Sequence, residues 1–197
     1  MSDQFQHVMV LTSIIIGLGI TNALLGVSGA IERYTEGDRP LQLSWASAFW
    51  LAQVFLWMIL FWWWEFRLVD ILKHWTLWNY FLIICYAVVL FLLVALLIPN
   101  DWEKVDDLNA YFLSKRRWFY SVYLLGVVID VMDSYMKGGW TYIMGQGVLG
   151  WAYPVVNTLV VAIGLRSRRI RTHTIMGIVS IVWLVVFGFE FAPLLHR

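Results

Sequence analysis

Apolar residues fall into six long stretches separated by short polar links, and that alternation predicts the architecture. A membrane-spanning helix needs about 20 mostly apolar residues, and stretches of that length lie near 8–30, 43–65, 75–98, 117–136, 142–165 and 173–193. The links between them, such as "IERYTEGDRPLQ", "KGGW" and "RSRRIRT", are too short for a soluble domain. The pattern predicts an all-α, polytopic transmembrane helical bundle, with residues 1–197 forming one membrane domain. The third link, "DWEKVDDLNAYFLSKRRW", places acids early and bases late, as a helix macrodipole favours. It reads as an interfacial helix running into the fourth span, with Val105, Leu108 and Phe112 expected to face lipid.

Lysine and arginine counts set the expected orientation, because the cytoplasmic side carries the excess. The first, third and fifth links hold ten: Arg33, Arg39, Lys104, Lys115, Arg116, Arg117, Arg166, Arg168, Arg169 and Arg171. The remaining links and the C-terminal tail hold four: Arg67, Lys73, Lys137 and Arg197. Both termini are therefore expected on the outer side. The N-terminal stretch "MSDQFQHVMVLTSIIIG" has no base ahead of its apolar run, which argues for a retained first span rather than a cleaved signal.

Composition agrees: 61% of residues are hydrophobic, 14% are charged, and mean hydropathy is +0.72. With net charge +1 and no clustered cationic face, a nucleic-acid surface is excluded. The single cysteine, Cys85, rules out an intrachain disulfide framework. His7, His74, His173 and His196 are dispersed, no HExxH spacing occurs, and no serine sits in a GxSxG motif. No metal, cofactor or enzymatic activity is expected. Most of the 13 tryptophans are assigned to interfacial belts and packing.

Lipid tails supply little hydrophobic drive between helices, so small residues mark close packing. In the first span, Ser13, Gly17 and Thr21 share one stripe, and Gly19, Asn22, Gly26 and Gly29 share the next, which predicts a central helix and a chain that forms homo-oligomers. In the fifth, Pro154 removes one backbone hydrogen bond and predicts a kink near mid-membrane. Two stretches, "IIIGLGITNALLGVSGAIER" and "YFLSKRRWFY", resemble uncharacterised bacterial multi-spanning membrane proteins. That resemblance implies a bacterial inner (plasma) membrane and brings no assigned activity.

Ionisable groups inside a span are costly and mark functional sites. "YSVYLLGVVIDVMD" delivers Asp130 about 20 Å along the fourth span from Arg117, and then Asp133. Helical spacing puts Tyr123, Gly126, Asp130, Asp133 and Lys137 on one stripe. Glu65 and Glu190 end their spans at the same outer level, while Asn22, Gln53, Tyr153, Asn157 and Thr158 lie deeper. One reading is structural: Asp130 bonds a tyrosine hydroxyl, or pairs with Lys137 or Arg67, and fixes packing. The functional reading is a small channel or transport protein that conducts or senses a small cation or proton, along a path through Asp130, Asp133, Glu190, Tyr123, Asn157 and Asn22. The alternative is a non-transporting scaffold or sensor subunit that recruits partners, or anionic lipid, through Arg166, Arg168, Arg169 and Arg171.

Overall fold

A computed structural model describes residues 3–65, 68–71 and 76–191. The chain is helical almost throughout, as lipid demands, since only internally satisfied backbone is tolerated there. The helices are α1 (Asp3–Glu36), α2 (Trp45–Glu65), the single turn α3 (Leu68–Ile71), α4 (Leu77–Leu97), α5 (Leu108–Gly145), α6 (Gly147–Arg166) and α7 (Ile170–Phe191). Five of these, α1, α2, α4, α5 and α7, are long and apolar enough to cross a membrane, which makes the chain an integral membrane protein. Thr76 caps α4 by accepting from the Asn79 amide at 3.2 Å, and Asp107 caps α5 by accepting from Asn109 at 2.7 Å.

Neighbouring helices pack in the sequence α1, α4, α5, α6, α7, α2, and α2 also meets α4, α5 and α1. The core is thus built on α2, α4 and α5. The helix expected to be central, α1, is instead peripheral, with one face on α4 and the other exposed. Its stripes divide accordingly. Gly19, Gly26 and Gly29 face Met58, Ile98 and Trp102, with no room for a Cβ, whereas Gly17 has open space around it. The exposed stripe is therefore not used for packing within the chain, because α1 has a neighbour on one side only.

The first and third links meet at one end of the bundle, here termed the Arg33 end. Gln42 donates its amide to the Asp106 carbonyl at 2.8 Å, and Leu108 donates to the Gln42 carbonyl at 3.0 Å. Arg33, with its side chain almost covered, donates to Asp106 Oδ1 at 2.9 Å and to the Trp102 carbonyl at 3.3 Å. This latch turns the start of α5 inward. Leu108 and Phe112 are consequently buried, not lipid-facing, and Phe112 packs edge-on against His173 at a ring separation of 5.3 Å. The predicted junction of this link with the fourth span is observed: helix runs on from Leu108 to Lys137, about 45 Å at 1.5 Å per residue.

Backbone interruption occurs elsewhere than expected. α6 stays helical through Pro154. The break lies at Gly138–Gly139, where Gly139 adopts φ +63°, a conformation that costs a residue without Cβ little. Gly147, at the start of α6, repeats the device with φ +66°. The break redirects the chain immediately after Lys137.

Buried aromatic rings fill the middle. Trp50 meets Phe119, Tyr120 and Tyr123 edge-on at 5.1–5.5 Å, and Trp57 meets Tyr123 at 5.3 Å and Tyr86 at 6.1 Å. Such pairs add about 0.5–1.5 kcal/mol each beyond their burial. Gly164 abuts the ring of Tyr120, leaving no space for a methyl group. Gly164→Ala is therefore expected to destabilise the protein by about 1–3 kcal/mol, measured by unfolding in mild detergent, whereas Gly145→Ala, with nothing near its Cβ position, leaves stability within about 0.5 kcal/mol.

Candidate functional site: a buried carboxylate cluster

The interior face of α5 presents, in order, Tyr120, Tyr123, Gly126, Asp133 and Lys137, all buried, with Asp130 half-buried beside them. These positions recur at helical spacing, so one stripe carries polar groups for about 25 Å. The facing stripe of α2 offers Trp50, Gln53, Trp57, Phe61 and Glu65, also buried. The two helices run parallel, so equivalent levels meet.

At the far level, the Glu65 end, Lys137 Nζ donates to Glu65 Oε1 at 2.9 Å and to Asp133 Oδ2 at 2.5 Å. The three side chains are only 5%, 1% and 6% exposed respectively. Glu65 Oε2 and Asp133 Oδ1 have no partner among the described residues. One ammonium thus serves two carboxylates.

Next inward, Trp57 Nε1 donates to the Tyr86 hydroxyl at 2.9 Å, and that hydroxyl donates to Asp130 Oδ1 at 2.5 Å. The missing side chain of Gly126 admits the Trp57 ring, which would lie 3.1 Å from a Cβ there. Among the described residues, Tyr153, Glu65, Asp133, Lys137 and Tyr123 also interact with Asp130. The expected tyrosine partner of Asp130 therefore exists, and it is Tyr86.

Deeper still, Tyr123 donates to Asn157 Oδ1 at 2.6 Å and accepts from Gln53 Nε2 at 3.3 Å, while Asn157 Nδ2 donates to the Tyr153 carbonyl at 2.8 Å. At the Arg33 end, the Tyr120 hydroxyl and His173 Nδ1 lie 2.9 Å apart, and Trp50 Nε1 donates to the His173 carbonyl at 3.1 Å.

Of the path residues read from the sequence, Asp130, Asp133, Tyr123 and Asn157 line one internal file. Asn22 is not joined to it: it is half-buried on α1, remote from α5. The Glu190 side chain lies outside the described residues. Thr158 is exposed and bonds back to the Pro154 carbonyl. Arg166, Arg168, Arg169 and Arg171 are all exposed, and none forms an ion pair among the described residues. Sequence reading missed Tyr86 and Trp57. A lone tyrosine at the middle of "LIICYAVVLFLL" was the available signal. Among the described residues no cluster of His, Cys, Asp or Glu has the geometry of a metal site.

No family model, no curated protein and no solved structure matches the chain.

Removing one partner of a buried ion pair leaves an uncompensated charge and costs about 3–5 kcal/mol. Lys137→Met is expected to lose that much stability in detergent unfolding, and adding Glu65→Gln with Asp133→Asn to recover most of it, since the triple variant buries no net charge at this level.

Proposed function

We propose that this protein binds a proton at Asp130 from the Glu65 end of the bundle and senses it, rather than conducting ions across the membrane. The observation that carries the reading is the charge count at that end. Among the described residues, Asp130, Asp133 and Glu65 share a single buried ammonium, Lys137. Uncompensated charge in a low-dielectric interior costs several kcal/mol, and a proton is the smallest counter-charge available. Asp130 is the acid that Lys137 does not touch directly, and it is the more exposed of the three.

Sensing is favoured over conduction by how the hydrogen-bond chain ends. Asp130 accepts from Tyr86, and Tyr86 accepts from Trp57. An indole N–H only donates, so a proton has no onward carrier there, and the Trp57 ring separates Tyr86 from Tyr123. Protonation of Asp130 weakens the hold of Tyr86 on α5 and so alters the α4–α5 contact. Self-association belongs to the same reading: the open stripe around Gly17 on α1 suits a second copy. So does a six-span topology, with α6 as the additional span, both termini outside and the arginine-rich links facing the cytoplasm, as in a bacterial inner membrane.

A pH step applied to the reconstituted protein should produce a protonated-carboxyl stretch in the infrared difference spectrum that Asp130→Asn removes, while vesicles holding the parent retain an imposed pH gradient as well as empty ones. An unchanged carboxyl band in the variant sinks the assignment to Asp130, and rapid collapse of the gradient by the parent sinks sensing in favour of conduction. For the topology, alkaline phosphatase fused at the N-terminus or after residue 197 should be active in cells, and phosphatase inserted between Gly37 and Asp38 should be inactive.

A further inference from the structure

A cleft lies at the Glu65 end, on the opposite side of α5 from the carboxylate cluster. It has a volume of about 600 Å³ and opens between the start of α4 and the Gly138–Gly139 break in α5. Its walls include Trp78 and Asn79 from α4 and Met132, Tyr135, Met136 and Trp140 from α5. The break makes the corner: by turning the backbone at Gly139 it sets the Trp140 ring at 73° to the Tyr135 ring, with centroids 5.9 Å apart. Trp140 is backed by Trp151, stacked at 6.1 Å with the planes 13° apart. Two aromatic ring planes thus stand nearly at right angles, and Trp78 lines the same cleft from α4.

Three further observations specify what such a cleft accepts. No lysine or arginine lines it among the described residues. Asn79 is 9% exposed, lines the cleft, and its side-chain amide has no hydrogen-bond partner among the described residues, so it is free to meet a ligand. Met132 and Met136 are the chain neighbours of Asp133 and Lys137, so the buried triad, two carboxylates to one ammonium, lies within about 10 Å, one helix diameter, behind the wall. Aromatic rings, an unpaired amide and the excess of carboxylate over ammonium among the described residues all attract a positive charge that carries apolar substituents.

The geometry points to a binding site for a small quaternary ammonium ion, taken from the aqueous phase at the Glu65 end and held over Trp140, Tyr135 and Trp78. This goes beyond proton binding at Asp130 and does not depend on it. Methyl groups on nitrogen rest against the apolar walls, and the charge is spread over them, so little hydration free energy is lost on entry.

The test is calorimetric titration of the full chain, in nanodiscs of phosphatidylethanolamine and phosphatidylglycerol, with choline and with its neutral isostere 3,3-dimethylbutan-1-ol. Saturable binding of choline without comparable binding of the isostere is the expected result. Trp140→Leu, at an exposed position that leaves the core intact, should weaken choline binding about threefold to thirtyfold, and Trp118→Leu at the Arg33 end should leave it unchanged. Equal affinity for choline and the isostere, no saturable binding, or an unaltered affinity in Trp140→Leu overturns the proposal. Displacement of choline by phosphatidylcholine added to the discs would make a lipid headgroup the occupant and overturn a free cation. Asp130→Asn should keep the discrimination between choline and the isostere, so failure of the proton reading and failure of this one are separately visible.

Discussion

Lys137 held between Glu65 and Asp133 is the interaction on which the rest of the bundle depends. Two buried carboxylates on different helices would repel, and a single buried ammonium would be worse than none; together they fix α2 against α5 at one level. Once that level is set, parallel packing brings the remaining stripes into register. Gln53 meets Tyr123, Trp57 meets Gly126, and Trp50 meets Tyr120. Such a triad adds little net stability compared with an apolar replacement, so its contribution is to register and to the local field.

That field gives the Glu65 end its chemistry. It leaves Asp130 as the acid without a cation of its own among the described residues, joined instead to a neutral donor chain that stops at an indole. It also lies behind the aromatic cleft on the far side of α5. The Gly138–Gly139 break serves both features. It ends the long helix just beyond Lys137, and it turns Trp140 towards Tyr135. The opposite end is built differently, with Arg33 and Asp106 latching two links together and four exposed arginines left without ion pairs among the described residues.

The correction to α1 has a physical cause that applies to membrane helices generally. Small residues state that something approaches closely, but not what. On α1 the Gly19–Gly26–Gly29 stripe is filled by Met58 of α2, Ile98 just past α4 and Trp102, while Gly17 is left open. A glycine-rich span is therefore as well suited to the edge of a bundle as to its centre. Pro154 carries a similar lesson: a missing backbone donor did not interrupt α6, whereas two adjacent glycines, one of them in the left-handed region, interrupted α5.

Length and apolar content alone were enough to determine that the chain is a helical membrane protein, because a bilayer accepts few other solutions. Helical periodicity likewise determined that Tyr123, Asp130, Asp133 and Lys137 share a face, since they belong to one helix and their spacing is local. What only the tertiary structure decided is which groups those residues meet. Glu65 lies 72 positions from Lys137 in the chain, and Tyr86 lies 44 from Asp130. Choosing them required the packing of three separate helices, and the apolar context of Tyr86 and Trp57 is common to any buried aromatic, so nothing local to either residue marked it as a hydrogen-bond partner.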